Sequence, residues 1–540
     1  MYLQIISLLS FLTVASGVQE PLYYNEHSSS YQFKWPIRKV AIVGAGAGGL
    51  VAYRELTQLG FEVRIFERDS VSGGNWHYTD ETPLHSPVPN LDISEADFRP
   101  HLPPDDIQLP YEQIFDDLEP KVVEELRKDH RAPTPIWSSL TSTGPKVSPL
   151  PWPDYIPLTL THNHIQRYVR TFASLHGVNS NDGSLNASYN TRVERVDKRY
   201  NTEGEAVGWT VTLRQFIQTK ESSCKIRWWA EASRGYLRDF DAVVLASGRF
   251  NAPNAPDIPG LAQWDELYPQ HVTHSREYRH QNEFVNQTVL VIGGSVSGTE
   301  IAEEISSTAN KVFLSIRSNN DDSLVSEVRK MHLSRVPKNV SIVPEIRSFH
   351  ELPRLANNDD LGMRPGVIEL ANGTLLQGFD RIILATGFRY TLPFFPQYQN
   401  SSLRVNETIP VGSGQPQPLL TDGTHIRSLH MDLFYIEEPT LGSINFNLGI
   451  ETFLYSEFSA VVIGKVWADE AKLPSTQHMW HLHWKRLKDA GGKYGRNLVT
   501  LGKEKQAEMI RYIVGWLNHD ALRYGGRLVC LYFCYCHFGC

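Results

Sequence analysis

A chain of 540 residues is long enough for two or three domains, and its 41% hydrophobic and 21% charged content is that of a soluble globular protein. A formal charge of −8 with no basic run argues against a general nucleic-acid binder. No cysteine lies between Gly17 and Lys220, so a disulfide scaffold for the core is excluded.

Residues 1–17 read as a signal peptide. Leu3 to Val14 is apolar but only about a dozen residues long, short for a membrane span. Ala15-Ser16-Gly17 offers the small residues that a signal peptidase cuts after. This predicts the secretory pathway or secretion. The n-region lacks Lys and Arg, so an uncleaved N-terminus anchoring the chain in the ER membrane is the alternative, and the only route to a membrane. N-x-S/T sequons at Asn186, Asn286, Asn339, Asn372, Asn400 and Asn406 add an expectation of glycosylation. Residues 18–37 are polar and aromatic without a clear period and read as a linker.

Residues 38–76 have the pattern of a first βαβ unit. Val40 to Val43 is a strand-forming run. It breaks into Gly44-Ala45-Gly46-Ala47-Gly48-Gly49, then into Leu50 to Leu56 with helical spacing. Gly44 suits a tight turn, Gly46 lets backbone approach a pyrophosphate, and Gly49 lets helix and strand pack closely. The next strand, Phe61 to Phe66, ends in Glu67, placed to bind an adenosine ribose. Residues 77–135 form a Pro- and acid-rich insertion, within which Tyr111 to Lys128 reads as an interrupted helix around Pro120. Asn163 to Leu175 reads as helix. Val193 to Val196 and Trp209 to Leu213 alternate like antiparallel strands.

Asp241 to Gly248 is a buried-strand pattern closing in a glycine turn, and Pro253, Pro256 and Pro259 follow it as a domain exit. A second nucleotide signature begins at Thr288: strand Val289 to Ile292, turn Gly293-Gly294-Ser295-Val296-Ser297-Gly298, helix Thr299 to Ser307. Ser295 replaces the middle glycine and is still small. Strand Val312 to Ile316 ends in Arg317, a cation suited to the 2′-phosphate of NADPH. Phe379 to Leu384 is a further buried strand. The fold class is therefore α/β, with two Rossmann-like dinucleotide-binding domains: FAD at the acid-ended unit and NADPH at the base-ended one. The FAD domain is discontinuous, 38–255 and 388–525, with the NADPH domain 256–387 inserted. Residues 526–540 form a tail holding Cys530, Cys534, Cys536 and Cys540, whose spacing fits no zinc pattern. His478-x-x-His481-x-His483 is off the spacing of a helical ligand pair, and no metal is expected.

In this order the motifs resemble the flavin-containing monooxygenases, in a fungal-like form with a long interval after Trp76. The resemblance rests on Gly44–Gly49 with Glu67, Gly73–Trp76, Ala246-Ser247-Gly248-Arg249-Phe250, His274 to Tyr278, Gly293–Gly298, Ala385-Thr386-Gly387, Glu438–Leu441 and Leu473–Ser475. Tyr268 and Gln270 depart from the family's Phe and Gly. The segment Leu140 to Pro145 is similar to a family motif and places Thr143 where the family has an asparagine beside the flavin. The resemblance implies Thr143 as the catalytic position and adds Asn75, Trp76, Ser142 and Val193 to the cofactor-binding set. It further implies that NADPH reduces FAD, that oxygen adds at flavin C4a as a hydroperoxide, and that a small substrate takes one oxygen atom of O2 at nitrogen or sulfur. The alternatives are a Baeyer–Villiger enzyme, which would favour Trp at Tyr278, and a non-catalytic FAD-binding relative.

Overall fold

The structure is a computed structural model and describes residues 30–143, 146–147, 150–230, 240–317, 324–351, 362–410 and 413–529. The signal segment and Cys530 to Cys540 lie outside the described residues. In chain order, β1 (Lys39–Val43) leads into the helix Ala47–Gln58 and β2 (Glu62–Phe66). Then come β3 (Tyr111–Phe115), the helix Pro120–Arg131, β4 (Thr141–Thr143), β5 (Thr159–Thr161) and the helix His162–Leu175. β6 (Ala187–Ser188), β7 (Thr191–Tyr200), β8 (Ala206–Lys220), β9 (Ser223–Ala230), β10 (Ala242–Leu245) and β11 (Ala252–Pro253) follow. The second unit holds β12 (Val272–His274), β13 (Thr288–Ile292), the helix Val296–Ile305, β14 (Lys311–Ser315) and β15 (Val340–Val343). It continues through β16 (Ile346–Phe349), β17 (Ile368–Leu370), β18 (Leu375–Leu376) and β19 (Arg381–Leu384). The chain returns through β20 (Phe388–Arg389), β21 (Leu429–His430), β22 (Phe434–Tyr435), β23 (Leu441–Ser443) and the helices Thr452–Trp467, Thr476–Asp489 and Gly502–Tyr524.

The first sheet has the order β21-β22-β23-β10-β1-β2-β6, with β1 parallel to both β10 and β2. Val40 to Val43 are buried because the sheet is covered on both faces, which is why this strand is an unbroken apolar run. One face packs on the helices Ala47–Gln58, Thr452–Trp467 and Gly502–Tyr524; the other packs on β7 and β8 through Val193, Val196, Trp209 and Val211. A second sheet, β12-β19-β13-β14-β15, is parallel throughout. The two units are joined by β11 pairing antiparallel with β20.

Two expectations need correction. Residues 30–37 are not a free linker: the Tyr31 amide donates to Leu473 O at 2.9 Å, and Trp35 Nε1 donates to Asp241 O at 2.9 Å. Tyr111 to Lys128 is no interrupted helix. Its first part is β3, paired with β9, and Pro120 starts a helix at the position where a missing N–H costs nothing. The antiparallel pair β7-β8 gains β9 and β3 to make a four-stranded sheet.

Candidate active site between the two glycine turns

A single cavity of about 1330 Å³ is lined from both glycine turns. At the first turn Gly44 has φ +107°, and a Cβ on it would lie 2.6 Å from Ala246 O; a Cβ on Gly49 would lie 1.9 Å from Gly44 O. Both glycines are demanded by the protein itself. Gly46 is different. Its φ is −76°, and a Cβ there would meet nothing closer than Gly74 Cα at 3.6 Å. Nothing in the chain requires glycine there, whereas close approach of a ligand does. Gly46 starts the helix Ala47–Gln58, whose first-turn amides have no intrahelical acceptor and suit an anion.

Gly44, Gly46, Ala47, Gly48, Glu67, Asn75, Trp76 and Val193 line the cavity, while Ala45 and Gly49 stand behind it. Glu67 is buried, and burial raises its carboxyl pKa. Its Oε2 accepts from the Ala45 amide at 2.7 Å and its Oε1 from the Asp69 amide at 2.8 Å, so it also holds the glycine turn in shape.

The second turn repeats the construction. Gly293 has φ +123°, and a Cβ on Gly298 would lie 1.8 Å from Gly293 O. Gly293, Ser295, Val296, Ser297 and Arg317 line the cavity; Gly298 does not. Arg317 is exposed, and its carbonyl accepts from Arg329, a second cation on the lining. His274 connects the second sheet to the exit strand. It is buried, and burial with nearby Arg276 depresses its pKa to about 3. The neutral ring donates Nε2–H to Gly387 O at 3.0 Å and accepts the Arg276 amide at Nδ1 at 3.1 Å.

Ser142 and Thr143 are not in the cavity. They sit on β4, paired only with β5, and Thr143 is exposed. The wall on that side comes from Trp137 and Leu140, where the chain leaves the cavity before Thr143 is reached. The expectation that Thr143 stands beside the flavin is therefore not met by the cavity lining, because sequence spacing could not show where this segment turns outward. Conversely, Arg249, Tyr390, Asn445 and Arg496 line the cavity. Arg249 was visible only as part of a linker motif, and the other three carried no local pattern. Asn445, at φ +67°, donates Nδ2–H to Ser456 Oγ at 2.6 Å and lies against Gly48.

His478, His481 and His483 lie on the helix Thr476–Asp489. His483 is buried within reach of Tyr494 Oη (3.1 Å), and among the described residues no His, Cys, Asp or Glu group could hold a metal. Cys224 is a free thiol buried in β9, away from the cavity.

The family model described as pyridine nucleotide-disulphide oxidoreductase matches residues 38–343, which span both glycine turns. The chain is 44% identical to the flavin-containing monooxygenase iboF of Amanita muscaria (strain Koide BX008) over 527 residues, 96% of this chain and 94% of that protein. It is 28% identical to the flavin-containing monooxygenase ustF2 of Aspergillus flavus over 89% of this chain and 92% of that one. The structure of S-allyl-L-cysteine S-oxygenase from Allium sativum superposes with a TM-score of 0.57, covering 89% of this chain and 88% of that chain at 22% identity, which speaks to fold. Glycine turns shaped for two dinucleotides around one cavity, together with this identity over nearly the whole chain, place the protein in the flavin-containing monooxygenases, enzymes that use FAD and NADPH to transfer one oxygen atom of O2 to a small molecule.

Proposed function

We propose that FAD lies at Gly44–Gly49, that NADPH lies at Gly293–Gly298, and that the pair oxygenates a soft nucleophile, an amine nitrogen or a sulfide sulfur. The observation that carries this reading is strand order. In the first sheet β1 stands between β2, which ends just before Glu67, and β10, which ends before Ser247 and Gly248. A dinucleotide crossing the strand ends with its adenosine ribose on Glu67 points its other half toward β10 and β23. In the second sheet β13 stands between β14, which precedes Arg317, and β19, which precedes Gly387. A coenzyme with its 2′-phosphate on Arg317 points its other half toward Gly387. Both reactive halves then converge between Gly248 and Gly387.

Bound FAD, reduced by NADPH, supplies the oxygen-transfer chemistry, and the protein supplies orientation and a dry site. The net reaction consumes substrate, O2, NADPH and a proton and yields the substrate oxide, water and NADP+. The chain's part is to hold the pyrophosphates on helix N-termini, fix Gly387 through His274, and wall the site with Trp76, Trp137 and Phe388. Anaerobic NADPH should bleach the yellow holoenzyme, and oxygen readmitted with a tertiary amine or a thioether should give one oxide per NADPH. Bleaching without any oxide from either class would reject the nucleophile assignment.

The same reading includes entry to the secretory pathway, with cleavage after the small residues near Gly17. It is supported by the exposed positions of Asn186, Asn286, Asn339, Asn372 and Asn406; Asn400 is half-buried. No described helix is long and apolar enough to cross a membrane. N-terminal sequencing of the mature protein that found Met1, with no mass shift on deglycosylation, would overturn this part in favour of an N-terminal anchor or no targeting at all.

A further inference from the structure

The carboxylates lining the cavity are Glu67, Asp69, Asp97, Asp257, Glu300 and Glu345. Glu67 accepts two backbone amides, Asp69 meets His77 at 2.7 Å, and Asp97 accepts from Thr391 Oγ1 at 2.6 Å. Asp257 and Glu345 are exposed to water. Glu300 is different. It is half-buried and has neither a hydrogen-bond donor nor a cation within ion-pair reach among the described residues. No other half-buried or buried carboxylate among the described residues is left in that state. Burial raises its carboxyl pKa and Glu303 adds to the rise, while Arg335 opposes it from a distance; both neighbours are exposed.

Glu300 sits in the second turn of the helix Val296–Ile305. Glu304, one turn on and on the same face, accepts from Ser139 Oγ at 2.7 Å. Ser139 stands between Trp137 and Leu140 of the cavity wall. Trp137 packs in one cluster with Ile301 of that helix, with Ile383 of β19 and with Ala385 just beyond it. The helix face that carries Glu300 therefore borders the β19 side of the cavity, the side assigned above to the reactive half of NADPH. A carboxylate is costly beside a coenzyme that brings several phosphates, because like charges repel. It suits one part of that coenzyme only. Loss of a hydride to FAD leaves the nicotinamide ring with one positive charge, the single cationic site of NADP+. We propose that the Glu300 carboxylate lies against the nicotinamide ring and, through that charge, holds NADP+ more tightly than NADPH. A group that binds the oxidised coenzyme better also favours reduction of FAD inside the complex, by linkage. This inference rests on the placement of NADPH at the second glycine turn proposed above.

The test is isothermal titration of FAD-loaded full-length enzyme, reduced with dithionite under anaerobic conditions so that NADPH is not consumed. The ligands are NADP+, NADPH and 2′,5′-ADP, which keeps phosphates but lacks the nicotinamide. Glu300→Gln should weaken NADP+ binding by about tenfold, the worth of one charged contact at a half-exposed position. NADPH binding should change by less than about twofold, and 2′,5′-ADP binding should not change. Glu300→Asp keeps the charge on a shorter arm and should restore part of the NADP+ preference. Variants that purify yellow show that folding is not the cause. If Glu300→Gln weakens NADP+ and NADPH alike, or leaves NADP+ binding unchanged, the proposal is overturned. The coenzyme placement is read separately through Arg317→Ala, which should weaken all three ligands. If 2′,5′-ADP binds and Arg317→Ala weakens it, the placement stands and only the role of Glu300 is at stake. If 2′,5′-ADP is indifferent to Arg317→Ala, the placement falls and this proposal falls with it.

Discussion

At the scale of single residues, glycines in one turn serve different masters. Gly49 faces Gly44 O at 1.9 Å from any added Cβ, and that oxygen is backbone that cannot step aside. Gly49→Ala should therefore destabilise the protein by about 3 kcal/mol or more, the upper end of overpacking costs, read as a lower denaturant midpoint. The protein itself leaves room for a side chain at Gly46, so Gly46→Val should fold with a near-normal midpoint and purify colourless. A yellow and active Gly46→Val protein would remove FAD from this turn. Arg317 is exposed, so its attraction for a 2′-phosphate is screened and should fall near the low end of charged hydrogen bonds, about 1.5 kcal/mol or roughly tenfold. Arg317→Ala should raise the KM for NADPH by about tenfold and leave that for NADH nearly unchanged. Equal loss for both coenzymes would make Arg317 a structural residue.

At the scale of elements, the insertion 77–135 is bound to the second unit by polar contacts. Arg279 gathers the carbonyls of Thr79, Glu81 and Thr134, and Tyr78 Oη lies 3.0 Å from His280 Nε2. His85 lies between Asp265 at 2.9 Å and Glu277 at 3.3 Å, and those two carboxylates raise its pKa from 6.5 to about 10. The folded value lies above the unfolded one, so the protonated ring binds the native state more strongly. The resulting stability is complete below pH 6.5 and fades as pH rises toward about 10. Denaturant titrations should show wild type losing stability relative to His85→Gln across that window and running parallel to it below the window. Curves that stay parallel through pH 9.5 would mean that the bridge does not form in solution.

At the scale of the whole molecule, the cavity is the seam between two covered sheets, and the chain crosses between the units beside the hydrogen-bonded pair of β11 and β20. A cofactor filling the seam binds the native state alone and adds stability by mass action. With free FAD at a hundredfold excess over its Kd, stripped enzyme should gain about 2.7 kcal/mol on reloading. The measurement is a denaturation midpoint of apo and reloaded protein, with the shift growing with FAD concentration. A midpoint indifferent to FAD would mean that the first turn does not hold it.

The sequence alone determined the two βαβ units, because buried parallel strands are apolar runs and a turn that must approach backbone closely can be made only from small residues. Gly44 to Gly49, Gly293 to Gly298, Glu67 and Arg317 were legible for that reason: each lies at a fixed offset from a strand end, and local sterics set the offset. Tyr111 to Lys128 was misread because a strand on an edge, half-exposed, shows no clear period, and β3 is held by pairing with the distant β9. Thr143 lies off the cavity wall, which the motif could not show, because a motif fixes residue order and says nothing of where the chain leaves a wall. Arg249, Tyr390, Asn445 and Arg496 come from four separate stretches, and only the packing of the returning segment against the first turn brings them into one cavity. Their chemistry is a property of juxtaposition, decided by long-range contacts that no local pattern encodes.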